Sequence, residues 1–149
     1  MMSRKTVIGT AIAATVLALA GCGQMRPSQK MDIYEARLTG AQEVPPVNTA
    51  ANGMAEIQLN TNTNVLTWKV TYAGLSGTPT GGHIHGPAGP GQNAGVVIPF
   101  ANVAALPVSG QIAITSQHHG DLAAGLWYVN IHTAAHPGGE IRGQLRRRQ

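Results

Sequence analysis

His83, Ile84 and His85 set two imidazoles at i and i+2 around one aliphatic side chain. In extended backbone, successive side chains alternate between faces, so His83 and His85 share one face and Ile84 takes the other. A third histidine, His132, follows Ile131 in a segment of the same character. If the two segments end at the same rim of a barrel, the three rings converge. Imidazole suits copper and zinc, and one rigid strand that supplies two ligands preorganises them. The same residues have a purely structural use. Their ring nitrogens can hydrogen-bond to the backbone of the Gly86 to Gly95 loop and hold it against the strand end, helped by Asn130 and Thr133. Residue type and spacing leave both uses open.

Glu140 and Arg142 repeat the i, i+2 spacing and are expected on the outer face of the last strand. There they make a polar surface for a partner, or Glu140 acts as the acceptor that orients His132 from behind. A solvated sheet face is the plainer alternative, and for Arg142 the preferred one. Classical catalysis has little footing. Ser76, Ser109 and Ser116 lack a nucleophile-elbow context, no catalytic cysteine is present, and the six acidic residues form no obvious acid–base pair. His118, His119 and His136 fall in turn-like segments. The run Gly86 to Gly91 does not keep the period of collagen, and no helix follows that would make it a phosphate loop.

The elements that must carry these residues read as strands. Charged residues are only 11%, and 19 Gly and 9 Pro are scattered through the 149 residues, a composition for short strands and many turns. Ala55, Ile57 and Leu59 alternate with polar neighbours, and Leu66, Trp68, Val70 and Tyr72 do so again after the Asn60 to Asn64 turn, which makes a hairpin. Val96 to Ile98, Ile112 with Ile114, Leu126 to Thr133 and the segment around Ile141 and Leu145 complete about seven or eight strands. No convincing amphipathic helix is present. The expected fold is all-β, an antiparallel sandwich or barrel.

The N-terminus has the form of an export signal. Arg4 and Lys5 precede an apolar run from Val7 to Ala20, shorter than the ~20 residues of a spanning helix. Leu19-Ala20-Gly21-Cys22 resembles the lipobox of bacterial lipoproteins, whose cysteine is acylated and becomes the first mature residue. The resemblance implies a signal peptide over 1–21, a lipidated tether over 22–30 and membrane attachment through Cys22. Gly23 after the cysteine, in place of an acidic residue, implies passage to the outer membrane of a Gram-negative cell envelope. Cys22 is the only cysteine, so no disulfide within the chain is available and packing alone must hold the domain. Without Arg4 and Lys5, eight Lys/Arg face six Asp/Glu, too small an excess for nucleic acid. Arg146 to Arg148 read as a solvated basic tail, with residues 147–149 outside a domain of 31–146.

Several segments together resemble the CHRD domain, a module named after chordin and found in bacterial secreted proteins. They are Leu38 to Pro46, Tyr72 to Leu75, His83 to Gly89, Leu126 to Thr133 and Pro137 to Leu145, in that order. The resemblance implies an immunoglobulin-like sandwich or barrel and leaves activity undefined. The His-x-His pair is also similar to one that supplies copper ligands in copper/zinc superoxide dismutases. This chain lacks the disulfide of that enzyme and a recognisable bridging-histidine and zinc-loop set, so only the geometry carries over. The expectation is a lipid-anchored, extracytoplasmic, non-enzymatic binding or structural domain whose partner is a protein or small ligand. A copper or zinc protein using His83, His85 and His132 is the alternative, and a redox enzyme using that metal is the weaker third reading.

Overall fold

A computed structural model describes residues 30–149. The expected signal peptide, Cys22 and all but the last residue of the tether lie outside the described residues. The elements in chain order are β1 (Met31–Thr39), a 3-10 turn (Gly40–Gln42), β2 (Asn52–Asn60), β3 (Val65–Ala73), β4 (Pro79–His85), β5 (Val96–Pro99), β6 (Val108–Ala113), α1 (Ser116–Ala123), β7 (Tyr128–Thr133), β8 (Ile141–Gln144) and β9 (Arg146–Arg147). Eight strands follow one path, β5-β4-β7-β8-β1-β2-β3-β6, and β9 pairs with β1 beside it. All pairings are antiparallel. The expected all-β architecture is therefore present, as a curled half-barrel.

The curl has a local cause. β1, β2 and β3 pair in register over their full lengths, whereas the ladder between β8 and β1 is the single pair Thr39 and Arg142. The two halves of the sheet fold toward each other about that narrow joint. Gly143 makes the approach possible, since a Cβ there would lie 2.5 Å from the carbonyl oxygen of Arg37. Between the halves, Tyr34, Leu38, Ile57, Leu66 and Val70 from one side and Ile84, Val129, Ile131 and Ile141 from the other form one buried cluster. Each such side chain contributes ~1.5–3 kcal/mol by leaving water. The alternation of β1 and β2 puts their apolar residues inward, as period two requires. Trp127 is fully buried, while Trp68 packs at the edge of the cluster and stacks on Phe100 at 5.6 Å.

Two expectations change. His118 and His119 lie on helix α1 and not in a turn. Thr115 caps that helix by accepting a hydrogen bond from the His118 backbone N–H, and Leu122 is its one buried residue, so its apolar signal is too thin to read as amphipathic. The basic tail is also not loose. Arg146 and Arg147 pair with Glu35 and Tyr34 of β1, Arg147 is ion-paired with Asp32, and Arg148 with Glu35 and Glu56. The Arg148 pairs are exposed and contribute little. The buried Leu145 just before them and the backbone ladder hold the segment.

Candidate metal centre

β4 lies beside β7, with His83 opposite Asn130, His85 opposite Tyr128 and Gly81 opposite His132. Ile84 and Ile131 are fully buried in the core. Strict alternation then turns His83, His85, Asn130 and His132 to the other face of the same two strands. The expected convergence occurs: each of the three histidines offers a ring nitrogen within 4.8 Å of the others. The ring centroids of His83 and His132 are 4.8 Å apart, and those of His83 and His85 5.3 Å. Tetrahedral coordination with metal–nitrogen bonds of ~2.0–2.1 Å places ligand nitrogens ~3.3 Å apart, a contraction that rotation of the rings supplies.

The hydrogen bonds assign the rings. His132 Nδ1 is 3.0 Å from the Pro137 carbonyl oxygen, which can only accept, so the ring proton sits on Nδ1 and Nε2 carries a lone pair. His83 Nδ1 is 3.0 Å from that Nε2 and is the donor of the pair. His85 Nδ1 donates to the Ala94 carbonyl oxygen at 3.0 Å, and its Nε2 is 3.1 Å from Asn130 Oδ1. The Ala94 carbonyl thus holds the His85 ring from behind, and Asn130 Oδ1 faces its Nε2 on the side of the histidine cluster.

Protonation favours free lone pairs. Burial, then the neighbouring His132 and His85, push the pKa of His83 down to about 4. Burial, aided by His85 and opposed by the bond to Pro137, also lowers His132. At neutral pH His83 and His132 are therefore uncharged imidazoles, the form that binds metal.

The same residues brace the neighbouring loop. His85 holds Ala94, and the Tyr128 hydroxyl accepts from the Ala94 backbone N–H at 3.1 Å. Arg142 donates to the Gln92 carbonyl at 2.7 Å and to Asn93 Oδ1 at 3.0 Å. Tyr128 sits between flanking strands, stacked with the His85 ring at 4.9 Å and with the Arg142 guanidinium 3.4 Å from its ring centroid. A single stack, His85–Tyr128–Arg142, ties the histidine group to the 86–95 loop.

Glu140 and Arg142 are not on a solvated face. Their exposures are 0% and 1%, because the Gly40 to Ala51 and Gly86 to Gly95 segments fold over the outer side of β8. Glu140 does not touch His132 through its carboxylate. It accepts from the Ser76 N–H and Oγ, Thr133 Oγ1 and Thr49 Oγ1 at 2.7–2.9 Å. Burial would raise its pKa, but those donors outweigh it and hold the carboxyl below its ordinary value. Its task is to pin the 49–51 and 76 segments to the strand. Tyr128 is the residue that sequence reasoning passed over. Tyr128 stood in the same alternating series as Asn130 and His132, so its face was readable but its partners were not.

The family model of the CHRD domain matches residues 34–145, nearly the whole of the described chain. No solved structure matches it.

Proposed function

We propose that this chain, which belongs to the CHRD domain family, is a non-enzymatic, extracytoplasmic binding domain anchored through lipid at Cys22 and holding a copper or zinc ion on His83, His85 and His132. The observation that carries the metal is the set of three imidazole nitrogens within 4.8 Å on two adjacent, rigidly paired strands. The donor chemistry fits, since three imidazoles suit copper or zinc better than the oxygen-seeking calcium or magnesium. With Nδ1 donating to Ala94, a neutral His85 turns an Nε2 lone pair toward Asn130 Oδ1, itself an acceptor. A proton, rotation of the Asn130 amide, or a metal ion relieves that contact. The ion would supply a charged centre to which the outer face of β4 and β7 is ordered. Anchoring and envelope location rest on the lipobox-like Leu19 to Cys22. A domain of this kind has a protein or small-ligand partner at the cell surface.

The bracing reading has its own observation, the His85 bond to Ala94, and makes a different prediction. The mature domain, titrated with copper(II) or zinc by calorimetry, is expected to bind about one equivalent. The His83→Ala, His85→Ala double variant is expected to lose it. Unchanged binding in that variant, or none in the parent, rejects the metal site and leaves the brace. Superoxide turnover by the metal-loaded protein would move the proposal from binding to redox catalysis.

A further inference from the structure

Three imidazoles leave a four-coordinate ion one ligand short. The strand pairing puts one more oxygen among them. Asn130 lies directly opposite His83 across the β4–β7 ladder and two residues before His132 on the same face of β7. It is also diagonal to His85, whose own partner is Tyr128. Opposite and diagonal neighbours on one face of an antiparallel pair are within side-chain reach of each other. Asn130 is thus flanked by all three histidines, and it is buried with them.

The four atoms are spaced like a coordination shell that has not yet closed. Tetrahedral coordination sets ligand atoms ~3.3 Å apart. A tetrahedron can be divided into two opposite edges, and both are already near that length: His83 Nδ1 to His132 Nε2 at 3.0 Å, and His85 Nε2 to Asn130 Oδ1 at 3.1 Å. The three ring nitrogens lie within 4.8 Å of one another, so the shell closes by drawing the two edges together. The first edge is an ordinary hydrogen bond between neutral rings. The second is not, because a carboxamide oxygen only accepts and His85 Nε2 carries a lone pair while Nδ1 donates to Ala94. Two lone pairs aimed at each other are what an ion between them needs. With the amide turned over, Asn130 would donate to His85 and occupy no coordination position.

We propose that Asn130 Oδ1 is the fourth ligand of the centre formed by His83, His85 and His132, the reading on which this one rests, and that the shell so completed is closed. A closed tetrahedral shell marks a structural ion, whereas a catalytic one keeps a position for water or substrate. Three imidazoles and a hard carboxamide oxygen suit zinc better than a cuprous ion, which seeks soft ligands. The ion then ties β4 to β7 through side chains, beside their backbone ladder, and turns over no substrate.

The test loads the mature domain with cobalt(II), a coloured stand-in for zinc, and adds azide as the probe of an open position. The parent is expected to show the intense visible bands of a four-coordinate cobalt(II) ion and to keep them unchanged in azide. Asn130→Ala, which frees a position, is expected to give a saturable spectral change with azide. It is also expected to bind zinc at least about tenfold more weakly, the loss that removal of even an outer partner of a ligand causes. Asn130→Asp keeps an oxygen at the position and is expected to ignore azide as the parent does. In the parent, zinc is expected to move the side-chain carbonyl carbon resonance of Asn130 downfield, a measurement that requires no variant to fold. An azide response in the parent overturns the proposal and leaves a three-histidine centre open to solvent. A resonance that zinc does not move, a cobalt-loaded Asn130→Ala that ignores azide, or an Asn130→Asp that responds to it overturns the proposal in the same way. A parent that binds neither ion overturns the histidine centre itself, and the fourth ligand with it.

Discussion

The depressed basicity of His83 and His132 sets how metal binding must respond to acid. An imidazole of ordinary pKa, ~6.5, is about nine-tenths protonated at pH 5.5, which weakens apparent metal affinity about tenfold relative to pH 7.5. Three such ligands would together lose about a thousandfold. His83, with its pKa pushed down to about 4 by burial and by its histidine neighbours, is only a few per cent protonated at pH 5.5 and contributes almost none of that loss. His132 is shifted the same way and contributes less than an ordinary ring. The sign follows from the form that binds: metal needs the neutral ring, and a lowered pKa extends the neutral ring toward acid. The expected loss of zinc affinity between pH 7.5 and 5.5 therefore falls well short of the thousandfold of three ordinary rings. Competition against a chromophoric chelator at the two pH values measures it. A loss of a thousandfold or more would refute the claim that these rings are packed and mutually repelling in solution.

Two other perturbations bear on separate parts of the structure. Glu140→Ala removes the carboxylate that accepts four hydrogen bonds from Thr49, Ser76 and Thr133, and is expected to cost roughly 3–5 kcal/mol, read as a lower urea midpoint; a cost under about 1 kcal/mol would mean that those segments find other partners. Because the folded-state pKa of Glu140 is depressed, its contribution is present above the ordinary carboxylate value and is lost as pH falls below it, so the parent's stability should decline in that acid range more steeply than the variant's. Cys22→Ser is expected to move the protein from the membrane fraction to the soluble periplasmic or culture fraction, and continued sedimentation with membranes would argue against a lipid anchor.

Period two was enough to read the inner face of this fold and not enough to read its outer one. Leu66 and Val70 alternating with polar neighbours in β3, and Ile84 between two histidines, point their side chains by strand geometry alone, and each of them is buried as alternation demands. Glu140 and Arg142 obey the same alternation, yet the face they occupy is roofed by the 40–51 and 86–95 segments. Those segments carry no periodic signal, and bonds to Glu140 and Arg142, which come from distant parts of the chain, and to His85 hold them in place. For the same reason Glu43 could not be read as buried. It sits in an irregular segment, and Arg142 and Gln144 near it come from about a hundred residues away. Helix α1 escaped for a different reason, since one buried leucine does not make a stripe.

Bracing and metal binding need not compete for the histidines. His132 keeps its Nδ1 bond to Pro137, and His85 keeps its Nδ1 bond to Ala94, when Nε2 of each is given to an ion. What an ion would replace is the His83–His132 hydrogen bond and the His85 contact with Asn130 Oδ1. The first is a neutral pair, with a net contribution of ~0.5–1.5 kcal/mol. The second sets acceptor against acceptor in the neutral ring. Both sacrificed contacts are weak, and both retained ones are the bonds that orient metal-ligating histidines from behind. The 86–95 loop therefore stays tied through His85 whichever state the cluster is in. A metal-dependent change should consequently appear in the mutual packing of the three rings and at Asn130, and leave the loop in place.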